Sequence, residues 1–151
     1  MSRSFRIAVA DDEQDMRDYF RKILTRLGHQ VVAVASNGRE LMEQCRAVHP
    51  EMIITDIKMP LLDGIDAATE LYSERPLPVI LVSAHHDAQT LQRAETDHVM
   101  CYLVKPIKQA DLEPSIALAV RRFEESQALQ KEVEDLRQAA QDRKVIEQAH
   151  V

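Results

Sequence analysis

The sequence predicts an α/β fold, a parallel five-stranded sheet wrapped by helices on both faces. Three observations carry this. Five short apolar runs alternate with segments whose apolar residues recur at helical spacing. The links between them are short, as right-handed strand–helix–strand crossovers require. Within the runs, apolar residues follow one another without alternation, as in Met52-Ile53-Ile54, the pattern of strands covered on both faces.

The elements follow in order. Phe5–Ala10 is the first strand, with Ile7, Ala8, Val9 and Ala10 in succession. Met16, Tyr19, Phe20, Ile23, Leu24 and Leu27 mark a helix that stops at Gly28. Val31–Ala35 is the second strand, closed by Ser36-Asn37-Gly38. Leu41, Met42, Cys45 and Val48 mark a second helix that must end before Pro50. Met52–Thr55 is the third strand. Ile65, Ala68, Leu71 and Tyr72 form the third helix, stopped before Pro76. Val79–Val82 is the fourth strand. A fourth helix over about 88–95 is the weakest, with only Ala88, Leu91 and Ala94 in period. Val99–Val104 is the fifth strand, closed by Lys105-Pro106, and Leu112–Phe123 opens the last helix.

At 151 residues the chain accommodates one domain and an appendage. A net charge of −6 gives no support for general nucleic-acid affinity. Cys45 and Cys101 lie in apolar-periodic stretches and read as reduced core residues, without metal spacing. No run approaches the roughly 18 apolar residues of a membrane span, and no signal-peptide pattern opens the chain. The expected compartment is the cytoplasm.

Reactive side chains gather at the strand ends. The first strand delivers Asp11 and Asp12, the third Asp56, the fourth Ser83 and the fifth Lys105. Parallel strands put these ends on one edge of the sheet, where open α/β folds bind ligands. Taken singly, Asp56 is a strand-ending cap or a reactive group. Asp11-Asp12 is an acidic helix start or half of a site, Ser83 an N-cap, and Lys105 a solvated charge. Together, three converging carboxylates demand a cationic partner. A hard divalent ion with oxygen ligands fits that donor set, with Lys105 as a fixed positive charge beside it.

The ordered set Asp11-Asp12, Asp56, Met59-Pro60, Asp63-Gly64, Ser83-Ala84 and Tyr102-Leu103-Val104-Lys105-Pro106 resembles a two-component response-regulator receiver domain, over about 5–123. The resemblance implies a flavodoxin-like, doubly wound sheet of order 2-1-3-4-5. It makes Asp56 the phosphoacceptor and Mg²⁺ the cofactor. Asp12 and Asp56 would bind the metal directly and Asp11 through bound water, with the Lys58 backbone carbonyl completing the site. Ser83 and Lys105 would hold phosphoryl oxygens, with Lys105-Pro106 cis. Tyr102 would be the switch aromatic; without the resemblance it reads equally as an edge-strand aromatic with a wet hydroxyl. The implied partner is a sensor histidine kinase or phosphotransfer protein. The protein would be no enzyme beyond catalysing its own aspartyl phosphorylation and dephosphorylation. Two features depart from the pattern. Thr96-Asp97-His98 stands where the fourth helix usually ends in Gly, and His85-His86 follow Ser83-Ala84 at the rim of the expected site. Two rivals fare worse. An aspartyl-phosphate phosphatase wants a second Asp two residues after the first, where this chain has Lys58. A phosphorylation-independent scaffold is favoured by a lost acidic pair or lysine, and neither is lost.

Beyond Phe123 there is no Pro or Gly, and good helix formers dominate. The expected division is a receiver over 1–123 and a helical, coiled-coil extension over 124–151. Leu129, Val133, Leu136 and Ala140 step by four, three and four. Three-residue steps through Ser126 join this stripe to Ile116, Val120 and Phe123 like a stammer. A homodimer through this helix is expected. Residues 136–149 are similar to the opening helix of ANTAR-type RNA-binding antiterminator domains. Those continue into two further helices, while this sequence diverges at His150-Val151. Arg121–Val151 holds six basic and seven acidic residues, so no basic stripe replaces the missing bundle. Either the chain is the start of a longer regulator, with RNA a partner only in that form, or it works through receiver and coiled coil alone.

Overall fold

The computed structural model describes residues 3–84, 92 and 98–149. Five parallel strands, β1 (Arg6–Ala10), β2 (Gln30–Ala35), β3 (Met52–Asp56), β4 (Val79–Ser83) and β5 (Val99–Val104), pair in the order β2-β1-β3-β4-β5. This is the flavodoxin-like, doubly wound arrangement expected. Three helices connect the early strands, α1 (Gln14–Arg26), α2 (Gly38–Val48) and α3 (Gly64–Glu74), and a long α4 (Gln109–Ala149) follows β5. Of the helix expected over 88–95 only Gln92, helical and exposed, is described; the rest of it, with His85, His86 and Asp97, lies outside the described residues.

Alternation along each strand splits the core in two. Ala8, Ala10, Ile53 and Leu81 face α2 and α3, against Leu41, Cys45, Ala67 and Leu71. Ile7, Val9, Ile54, Ile80 and Val82 face α1 and α4, against Phe20, Leu24, Leu112, Ile116 and Ala119. Each fully buried large side chain contributes about 1.5–3 kcal/mol. Burial pushes the Cys45 thiol up to about 12, so it stays an inert apolar filler, and neither cysteine is in a disulfide.

Local chemistry sets both the starts and the ends of the helices. Gly28 carries φ +92° just past α1, a conformation that favours glycine. Asn37 caps α2 by accepting the Glu40 N–H at 2.8 Å, and Asp63 caps α3 through the Asp66 N–H at 2.9 Å. At the far end of α2, the Arg6 guanidinium donates to the Val48 and His49 carbonyls at 2.6 and 2.8 Å, a cation at a helix C-terminus.

The last helix begins at Gln109, three residues earlier than its apolar pattern suggests, and runs 41 residues without a break, about 60 Å. Its first half lies on the sheet. Four contacts fasten it where it leaves. Arg122 donates to the Met100 carbonyl at 3.0 Å, and Arg3 pairs with Glu124 at 2.9 Å. The Phe123 ring meets Tyr72 edge-on at 6.3 Å, and Gln127 donates to the Tyr72 hydroxyl at 3.1 Å. Beyond Gln127 every side chain from 128 to 144 is exposed. Among the described residues no helix is long and apolar enough to cross a membrane.

Candidate functional site

The carboxyl ends of β1, β3, β4 and β5 meet at one corner of the sheet. Parallel pairing in register brings Asp56 beside Val82 and Ser83 beside Val104, so the residue after each apolar run lands on the same edge. Carboxylate oxygens of Asp11, Asp12 and Asp56 lie within 4.8 Å of one another. Asp11 is fully buried, Asp56 nearly so, and Asp12 is exposed. Lys105 reaches between the two buried acids, its Nζ 2.9 Å from Asp11 Oδ2 and 3.4 Å from Asp56 Oδ2. The Lys105–Pro106 peptide is cis.

Backbone donors hold the other carboxylate oxygens. Asp11 Oδ1 accepts the Glu13 N–H at 2.9 Å, and Asp56 Oδ1 accepts the Ile57 N–H at 2.8 Å. Asp11 Oδ2 has no donor of hydrogen-bond geometry and takes only the Lys105 charge. Burial raises the Asp56 pKa to about 6, with the Asp11 charge adding to the rise; Lys105 and the Ile57 N–H oppose it. Burial also pulls the Lys105 pKa down, but the two carboxylates outweigh it and hold the ammonium above its ordinary value. One ammonium for three carboxylates leaves a net negative pocket. Three converging carboxylates offering oxygen ligands within 4.8 Å of one another, with one ammonium, that of Lys105, to balance them, fit a hard divalent cation.

Ser83 is buried, and its carbonyl accepts the Lys105 N–H at 2.9 Å, tying the ends of β4 and β5 together. Tyr102 is half-buried against the α2–α3 core. Lys58 is exposed on the loop leaving β3. All the residues expected at the site are thus placed on or beside this edge.

Two supports are not among the expected site residues, although Gly64 belongs to the Asp63-Gly64 motif. Arg17, one turn into α1, donates to the Asp11 carbonyl at 2.9 Å. Gly64, the first residue of α3, sits so close to β3 that a Cβ would lie 1.9 Å from the Asp56 carbonyl oxygen. The Gly64 N–H instead reaches the Ile57 carbonyl at 2.8 Å. The helix start is thereby pressed onto the strand that carries Asp56.

A doubly wound sheet with an acidic carboxyl edge and one lysine among its carboxylates places the chain in the flavodoxin-like class of α/β domains with an acidic pocket. A family model described as "Response regulator receiver domain" matches residues 7–117. The chain belongs to that family and is a response-regulator receiver of the two-component type. It is 39% identical over 144 residues to the transcriptional regulatory protein PdtaR of Mycobacterium tuberculosis, covering 95% of this chain and 70% of that one. Identity to the regulatory protein AtoC of Escherichia coli is 33% over 135 residues, 89% of this chain and 28% of that one. Among solved structures, the receiver domain of a modulated diguanylate cyclase from Desulfovibrio desulfuricans superposes with a TM-score of 0.75 at 28% identity, over 81% of this chain and 98% of that one. A receiver domain protein from Clostridium thermocellum gives 0.71 at 30% identity, over 79% and 96%.

Proposed function

We propose that this chain accepts a phosphoryl group on Asp56 from a histidine kinase or phosphotransfer protein in the cytoplasm. It then relays the change through α4 to a second copy or an output partner. The observation that carries this is the placement of Asp56 Oδ2 beside the Lys105 ammonium and within the Asp11–Asp12–Asp56 cluster. Asp11, Asp12 and Asp56, with the Lys58 carbonyl, are the residues that would hold Mg²⁺. When bound, that ion supplies the positive charge that phosphoryl transfer to a carboxylate needs.

The chain's own groups do the rest. Asp56 attacks phosphorus as the donor's N–P bond breaks, and the imidazole leaves with the electron pair. Burial keeps water from competing, and the Ile57 N–H holds one Asp56 oxygen so that the other faces the donor. Lys105 takes up charge on the transferred oxygens, and Ser83 offers them a hydroxyl. Movement of Ser83 toward the phosphoryl group gives Tyr102 room to turn inward. The name of the relative PdtaR, a transcriptional regulator, supports an output in transcription. In a longer form whose further helices complete an ANTAR-type domain, that output is antitermination on RNA.

Treatment with acetyl phosphate, followed by intact-mass measurement, tests the core of this. Wild type gains one phosphoryl group with Mg²⁺ and none with EDTA, and Asp56→Asn gains none. Equal labelling of both proteins, or labelling that survives EDTA, refutes the assignment.

A further inference from the structure

The far half of α4 is a stripe in search of a cover. Leu129 and Leu136 are 62% and 65% exposed and Val133 is 43% exposed. The stripe does not point at its own receiver. At 3.6 residues per turn, it is turned roughly 110° around the helix axis from the face that Leu112, Ile116 and Phe123 lay on the sheet. The four contacts at Arg122, Phe123, Glu124 and Gln127 hold the helix in that attitude.

The charges beside the stripe select its partner. With Leu129 and Leu136 at d positions and Val133 and Ala140 at a positions, Glu132 falls at g and Arg137 at e. Both are exposed, and among the described residues neither has a partner within the chain. In a parallel, in-register pair of helices, a g residue faces the e residue five positions on in the other strand. That brings Glu132 of each copy to Arg137 of the other, two opposite-charge pairs flanking the Val133 and Leu136 layers. Pairing the same stripe antiparallel, with Val133 against Leu136, sets Glu132 against Ala139 and Arg137 against Gln130, with no charge pair.

We infer that the stripe is a homodimer seam, parallel and in register, clasped by two Glu132–Arg137 pairs between copies. This rests on the reading that α4 relays the receiver's state, and it names the partner and the geometry. Four layers, one of them Ala140, with Arg143 at the next d position, make a weak clasp. The receivers, held side by side at one end, then decide by their own contacts how much of the chain is paired.

The test uses the full chain, with and without acetyl phosphate, by sedimentation across a concentration series. Glu132→Arg and Arg137→Glu each weaken the dimer about tenfold, because each turns both pairs repulsive. An equimolar mixture of the two variants recovers wild-type affinity, since every cross-strand pair in the heterodimer is again opposite in sign. Ala140→Cys in a Cys101→Ser background gives a dimer cross-linked through position 140 under mild oxidation, which parallel register alone permits. A chain monomeric in every condition overturns the seam. A dimer indifferent to the charge reversals, or one without the 140–140 cross-link, overturns its parallel register. Labelling of Asp56 is read on the same samples, so a labelled monomer sinks the dimer and leaves phosphoacceptance standing, while an unlabelled dimer does the reverse.

Discussion

The acidic edge and the far half of α4 carry opposite kinds of unfinished business. At the edge, charge is buried: Asp11, Asp56 and Lys105 sit within ion-pair distance in a pocket that water scarcely reaches. On α4, apolar surface is exposed: Leu129, Val133 and Leu136 face solvent. Buried charge makes its partners obligatory, because an unpaired ion in the interior costs several kcal/mol. An exposed leucine on a solvated helix costs the fold little and gains only when something covers it. The edge is therefore tied into the stability of the chain itself, and the stripe is tied to association.

Lys105→Ala should break the edge most severely. It leaves Asp11 and Asp56 without a counter-charge and is expected to destabilise the metal-free chain by about 3–5 kcal/mol at pH 8. Mg²⁺ binding survives, since the carboxylates supply it, and the metal restores much of the loss. Urea unfolding with EDTA and with Mg²⁺ reads both effects. A loss below about 1 kcal/mol would mean the pocket is wetter than its geometry implies.

Asp56→Asn works in the other direction. The folded chain holds the Asp56 proton more tightly than the unfolded chain does, with a pKa of about 6 against an ordinary 3.8. Stability from this group is full below pH 4 and is lost as pH rises toward 6 and above, by roughly 3 kcal/mol in all. Without metal, Asn at this position should stabilise the chain by about that much at pH 8 and hardly at all at pH 4. Denaturation series at the two values check it, and equal effects at both would remove Asp56 from the account.

How far each region could be read from sequence follows from the same contrast. Asp11, Asp12, Asp56, Ser83 and Lys105 are legible because each lies at or within two residues of the end of an apolar run, and parallel pairing carries a strand's end to the common edge. The strand order is not contained in any one run and came from the resemblance. Tyr72 with Phe123 and Gln127 is a contact between elements far apart along the chain, and no local spacing announces it. Arg17 on the Asp11 carbonyl and Gly64 against the Asp56 carbonyl are near neighbours in sequence, but residue spacing does not say which way a side chain points or how closely two backbones approach. The α4 stripe is legible as a period, but a period does not say what lies against it.

A smaller effect belongs to the loop that joins β3 to α3. Leu61 is 71% exposed and holds φ +71°, a left-handed conformation that costs a branched side chain about 1 kcal/mol. Leu61→Gly is expected to recover part of that, for a net gain of about 0.5–1 kcal/mol, with acetyl phosphate labelling unchanged. A loss of stability would show that the side chain is held by contacts that outweigh its backbone.

The smallest expected effect on the fold separates the two regions most sharply. Replacing both Leu129 and Leu136 with Lys puts two charges where the chain now shows apolar surface. In a monomer these positions meet only water, so unfolding at low protein concentration should shift by no more than about 0.5 kcal/mol. In a dimer the same lysines would be driven into the seam, where two unpaired ammonium groups per strand cannot be tolerated, and association should disappear. Removing one charge at the edge would thus cost several kcal/mol of folding free energy, while adding two on α4 would cost almost none and abolish assembly. Urea unfolding and sedimentation on one preparation read both quantities. If the double substitution instead lowers monomer stability by more than about 1 kcal/mol, the stripe is already covered by its own chain, and the contrast between an internally compensated edge and an outward-facing helix fails.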